Sequence, residues 1–75
     1  MDRTELLNTL LKRYNEYSEL AAKHFLNSSE HWQSKKSALI DLFEDFGFNP
    51  GTDITCSEKT VDGITFRILV NKHTY

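Results

Sequence analysis

Apolar side chains between positions 3 and 26 recur at Leu6, Leu7, Leu10, Leu11, Tyr14, Tyr17, Leu20, Ala21 and Phe25, the i, i+3, i+4, i+7 rhythm of one helical face. Lys12, Arg13, Glu16, Glu19 and Lys23 fall on the other face. Asp2 stands where a carboxylate caps the first free amides, with Glu5 at capping-box spacing, and Glu19 precedes Lys23 by four residues. The pattern predicts a helix over 3–26, roughly 36 Å long at about 1.5 Å per residue. That is longer than a globule of 75 residues needs to cover its own core. Part of the stripe is therefore expected to face another chain: Leu7, Leu10, Tyr14, Tyr17 and Ala21, at near-heptad spacing, form a candidate dimer seam. The rival is packing within the chain, with the tyrosine hydroxyls reaching outward.

Asn27-Ser28-Ser29 interrupts the rhythm, and either serine can cap a second helix whose first turn carries Glu30. Trp32, Lys36, Leu39, Phe43 and Phe46 lie close to one line at helical spacing, flanked by Ile40 and Leu42. Gly47 followed by Phe48 suits a Schellman ending with its hydrophobic contact, and Asn49-Pro50-Gly51 suits a turn. The two helices are expected to form an antiparallel hairpin.

From Thr55 to Val70 the rhythm changes to period two around Asp62-Gly63, with β-branched residues on both sides. Asp-Gly as a two-residue loop favours a type I′ turn and a β-hairpin. Centring on it opposes Val61 to Ile64, Lys59 to Phe66, Glu58 to Arg67 and Cys56 to Leu69. One face then carries Val61, Ile64, Phe66, Ile68 and Val70 and is expected to pack on the helices, with a Glu58–Arg67 ion pair and a buried Cys56 elsewhere. The fold class is α+β, a two-helix hairpin packed on a C-terminal β-hairpin. Two open strand edges suggest dimerisation into a four-stranded sheet.

Size narrows the picture: 75 residues make a single small domain over 1–75, near the lower limit for an unstapled core, which again favours a homodimer. A net charge of −2 gives no general attraction to nucleic acid or anionic lipid. The single Cys56 cannot form an internal disulfide, and Met1-Asp2-Arg3-Thr4-Glu5 lacks the order of a secretory signal, so a cytoplasmic setting is expected. An apolar run such as Ile68-Leu69-Val70 is far short of the ~20 residues that span a bilayer, and no membrane association is expected.

Candidate chemistry is sparse. Asp41, Glu44 and Asp45 crowd the last turns of the second helix, where the dipole disfavours each carboxylate by ~0.3–1 kcal/mol. No Lys or Arg stands four residues before any of them. Local rules broken without local repair point to a function, here an acidic patch for a basic partner surface with Phe46 or Phe48 as an apolar anchor. The competing reading has Lys12, Arg13 or Lys59 balance the patch, or leaves it as solvated surface. Trp32 is either a further partner anchor or a lid over the end of the core.

His24, His31, His73 and Cys56 show no metal-ligand spacing, so no metal or cofactor is expected. No glycine-rich phosphate loop or nucleophile elbow is present, and enzymatic activity is the least supported class, with no catalytic residue assigned. The sequence therefore points to a non-enzymatic module that regulates or inhibits a larger protein through Asp41, Glu44, Asp45, Phe46, Phe48 and Trp32. The alternative is a nucleic-acid-binding dimer using Lys59, Phe66 and Arg67 of the hairpin, disfavoured by the acidic balance.

Overall fold

The structure, a computed structural model, describes residues 2–24 and 29–73. Helices α1 (Arg3–Lys23) and α2 (Ser29–Asp45) are followed by strands β1 (Ile54–Val61) and β2 (Ile64–Asn71), the α-α-β-β order of an α+β protein. Asp2 caps α1 as its position predicts, its carboxylate accepting the Glu5 N–H at 2.8 Å. The described helix runs to Lys23, with the His24 N–H donating to the Leu20 carbonyl at 3.0 Å, and its expected continuation through 25 and 26 lies outside the described residues. The expected places of Phe25 in the stripe and of Ser28 or the Ser29 side chain as a cap lie outside the described residues.

The end of α2 is the expected Schellman motif. Gly47 takes φ +77°, the Phe48 N–H donates to the Phe43 carbonyl at 2.8 Å, and the Gly47 N–H donates to the Glu44 carbonyl at 3.0 Å. Positive φ is open to Gly47 because it has no Cβ, and the motif turns Phe48 back onto Phe43. Both rings are buried, Phe48 with 2% exposure. A tight turn follows, in which the Asn49 carbonyl accepts from the N–H groups of Thr52 and Asp53. The Asp53 carboxylate in return accepts the Asn49 N–H at 2.9 Å.

At the hairpin tip Asp62 and Gly63 both have positive φ, 52° and 78°, the type I′ geometry. The register is the one that the loop dictates, with Val61 opposite Ile64, Lys59 opposite Phe66, Glu58 opposite Arg67 and Cys56 opposite Leu69. The core gathers Leu7, Leu10, Leu11 and Tyr14 of α1, Leu39 and Phe43 of α2, Phe48 and Ile54.

Helix α1 is the centre of the molecule: it packs on α2 along one side and on β2 along another, whereas α2 and the strands do not meet backbone to backbone. The contact with β2 is made at the strand's edge. The Asn15 side chain donates to the Leu69 carbonyl and accepts the Leu69 N–H, both at 2.8 Å, doing for β2 what a third strand would do. One heptad earlier, the Asn8 side chain accepts from the side-chain amide of Asn71 at 3.0 Å, a side-chain bond that ties the end of β2 to α1.

This edge-on docking corrects the expected facing of the hairpin. A helix straddling a strand edge touches side chains from both faces, so the apolar set Val61, Ile64, Phe66, Ile68 and Val70 does not cover the core. Ile54 and Leu69, of the opposite parity, join the main cluster. Phe66 is buried in a separate groove with Lys12, Asn15 and Ile68, and Val70 is exposed. Two further expectations change with it. Cys56 is exposed rather than buried, and Glu58 faces Arg67 without an ion pair among the described residues.

Candidate functional site

The acidic end of α2 is divided by the helical twist. At about 100° per residue, Glu44 shares a side with Ile40, and both line a cleft between α2 and the hairpin. Asp41 and Asp45 turn away from that cleft and lie beside Leu42 and Phe46 on the outer shoulder of the helix. All three carboxylates are exposed, and none takes part in an ion pair among the described residues. Phe46, with 45% exposure, and Leu42 stand open next to Asp41 and Asp45.

Phe48 does not belong to this surface. As the last residue of the Schellman motif it is drawn into the core, so the anchor role expected of it is corrected and Phe46 alone remains. The balancing charge also differs from expectation. Instead of Lys12, Arg13 or Lys59, Arg3 meets the end of α2, and it meets carbonyls rather than carboxylates. Its guanidinium donates to Phe46 at 3.0 Å and Gly47 at 2.8 Å and lies 4.4 Å from the Phe48 ring centre. A cation on free helix-end carbonyls offsets the dipole that the three carboxylates oppose.

Trp32 sits away from the acidic end, at the start of α2. It is half-buried and stacked on Tyr17 at 5.8 Å, with His31 edge-on at 4.6 Å and the Lys35 ammonium over Tyr17 at 5.7 Å. Its indole N–H finds no acceptor among the described residues. Leu7, Leu10, Tyr14 and Ala21, expected in a dimer seam, are buried within the chain, and Tyr17 packs against the same core. The stripe is covered because α2 and β2 take different sides of α1, which a sequence pattern read as one helix face does not reveal.

The cleft between α2 and the hairpin encloses about 380 Å³. Tyr14, Phe43, Phe48, Ile54 and Leu69 form an apolar floor, with Ile40 and Glu44 on one lip and Cys56 and Arg67 on the other. The Lys36 ammonium lies 5.1 Å from the centre of the Tyr14 ring. Burial pushes the Lys36 pKa down, and the positive charge of Arg67 adds to the effect. Burial raises the Tyr14 hydroxyl above its usual range, the Cys56 side chain adds to this, and Arg67 opposes it. Two cations thus share a half-apolar site without a carboxylate partner among the described residues.

The basic residues of the hairpin do not form one surface. Lys59 and Phe66 face a groove that also holds Lys12, Glu16 and Glu19, a mixed-charge lining, while Arg67 faces the opposite cleft. No group of three or more His, Cys, Asp or Glu is placed to hold a metal ion among the described residues. The cleft lining contains no histidine beside Cys56. No described helix is long and apolar enough to cross a membrane.

Sequence reasoning missed Arg3, Asn8 and Asn15, and it paired Arg67 with Glu58 where the structure turns it into the cleft. A signal existed for the asparagines: Asn8 and Asn15 stand seven apart beside the stripe of a helix in which Asn is a poor former, a spacing that puts both on one side. The molecule is thus a small α+β chain with an acidic helix end and an apolar cleft. It matches no known protein family, no curated protein and no solved structure.

Proposed function

We propose that this chain is a small non-enzymatic protein-binding module that regulates or inhibits a larger protein through the acidic and aromatic end of α2. The contact surface is Asp41, Asp45, Leu42 and Phe46, with Glu44 at its border. One observation carries the reading. Phe46 stands open beside carboxylates that have no counterion among the described residues, at a helix end whose carbonyls Arg3 already satisfies. An apolar ring ringed by unpaired charge of one sign suits a partner surface with an apolar pocket and a basic rim.

The test is capture from a lysate of the native source in parallel with wild type, D41K/D45K and F46A, each with and without nuclease. The expected result is a stoichiometric protein partner that survives nuclease and is lost from both variants while their circular dichroism spectra match wild type. A partner retained equally by all three proteins removes this surface from the reading. Recovery that depends on nucleic acid replaces it with the nucleic-acid reading.

A further inference from the structure

The second surface is the outer edge of β1 and the cleft beside it. Asn15 bonds both backbone groups of Leu69, so Leu69 is a residue whose N–H and C=O point off the hairpin. In an antiparallel pair, residues whose groups point inward and outward alternate, and opposed residues share the same state. Cys56, opposite Leu69, and with it Glu58 and Thr60, therefore point their N–H and C=O groups off the free edge of β1. At the start of the strand this edge is closed, because the Ile54 carbonyl accepts the Gly51 N–H at 2.8 Å. From Cys56 onward the side chains through Thr60 are exposed, and β2 is the only strand paired with β1 among the described residues.

Across the cleft, α2 presents Ile40 and Glu44, and Lys36, four residues before Ile40, holds its ammonium over the Tyr14 ring of the cleft floor, so that the three stand at four-residue spacing. Such a row rises about 6 Å per step, close to the roughly 6.6–6.8 Å between alternate side chains of an extended strand. A cation, an exposed aliphatic side chain (Ile40, 44% exposed) and an anion thus repeat at close to the pitch of alternate side chains in an extended strand. Arg67 stands at the cationic end, turned into the cleft and unpaired with Glu58.

We propose that the β1 edge and this cleft bind an extended segment of a partner protein in which an acidic, an aliphatic and a basic residue alternate with two spacers. The segment adds a third strand to the hairpin through Cys56, Glu58 and Thr60. Its acidic side chain meets Lys36 and Arg67, its aliphatic side chain covers Ile40, and its basic side chain meets Glu44. A second copy of this chain does not fit the row. Its β1 would present either Thr55, Ser57, Lys59 and Val61 or Ile54, Cys56, Glu58 and Thr60, and neither set alternates acid, aliphatic and base. Ile54, the large aliphatic residue of the second set, is already buried in its own core. This inference goes beyond the reading of the α2 end and stands or falls separately from it.

The probe is the peptide acetyl-Thr-Glu-Thr-Leu-Thr-Lys-Thr-amide, titrated into the ¹⁵N-labelled full chain. The amides of Cys56, Glu58 and Thr60 are expected to shift and to gain protection from hydrogen exchange. Replacing the peptide's Glu by Lys, or its Leu by Ser, is expected to weaken binding at least about tenfold, as is R67E. E58P removes one outward N–H at an edge position that tolerates proline, and it should weaken binding equally. Should E58P unfold, R67E and the control peptides carry the test. F46D, at the other surface, should leave the affinity unchanged. Absence of shifts at these amides with millimolar peptide overturns the proposal, as does equal binding of the control peptides. The same shifts produced by raising the protein concentration alone would overturn it in favour of a second copy.

Discussion

Arg3 and Gly47 join the outer ends of the helical hairpin: Nη2 of Arg3 donates to the Gly47 carbonyl at 2.8 Å across a separation of 44 residues. Nη1 reaches the Phe46 carbonyl at 3.0 Å, and the guanidinium plane lies against Phe48. One side chain at the start of α1 thus supplies what the end of α2 lacks in its own sequence, a cation in the last turn.

R3A is expected to cost about 1–2 kcal/mol, since it removes two hydrogen bonds from a charged donor together with packing over Phe48. R3K should recover less than half, because an ammonium cannot fork to two carbonyls while stacking on a ring. Urea denaturation measures both. A loss under about 0.3 kcal/mol for R3A would show that the contacts are surface ornaments of the kind that exposed ion pairs often are.

Asn15 closes the β2 edge, so N15A leaves the Leu69 N–H and carbonyl without their partner at a partly buried site. A loss of about 1–3 kcal/mol is expected, with faster amide exchange at Leu69 than at Leu10. N15D keeps the acceptor but gives up the donor and should fall between wild type and N15A. Unchanged exchange at Leu69 would mean that the edge is held by apolar packing alone.

Asp53 gives the molecule an acid-sensitive joint. Its carboxylate accepts the Asn49 N–H and a hydrogen bond from His73 at 2.9 Å, and these contacts, the Asn49 bond foremost, lower its pKa below the ordinary 3.8. A carboxyl with a depressed folded-state pKa contributes stability that is present above its unfolded value and is lost as pH falls through the folded one. Stability should therefore fall from about pH 4 downward, and D53N should flatten that part of the profile while lowering stability at pH 7. Parallel profiles for the two proteins between pH 2 and 5 would contradict this.

Ser18 is buried at 3% exposure, and its hydroxyl finds no partner among the described residues. S18A removes an orphaned polar group and improves helix propensity, so a gain of about 0.5–1 kcal/mol is expected. Thermal denaturation followed at 222 nm reads the sign directly, and a destabilised S18A would reveal a hydrogen bond that this site needs.

G63A tests the hairpin tip. A Cβ at Gly63 would meet no atom within 4 Å, so the whole cost is that of holding a side chain at φ +78°. About 1 kcal/mol is expected, with G63N losing less because Asn tolerates the left-handed region. Equal stability of all three would mean that the tip is free to adopt another turn.

Elements written in local chemistry were legible without coordinates. Asp2 as a cap, Gly47-Phe48 as a helix ending, Asp62-Gly63 as a type I′ loop and the register it fixes all depend on neighbours within a few residues. The candidate site was legible only in part. Asp41, Asp45 and Phe46 are exposed where the pattern put them, but Phe48, from the same stretch of chain, turned inward because the Schellman motif that ends α2 also aims the following residue at Phe43.

What the sequence determined by itself is therefore the set of elements, their order and the pairing of β1 with β2, because periodicity, capping and turn geometry act over short range. The tertiary structure decided that α1 meets β2 at its edge rather than on a face, so that Asn15 serves as a strand and Leu69 rather than Phe66 joins the main core. It also decided that Arg3 completes α2 and that Arg67 turns into a cleft instead of pairing with Glu58. These outcomes depend on how residues far apart in the chain share limited space and satisfy one another's backbone groups, and no local pattern encodes that competition.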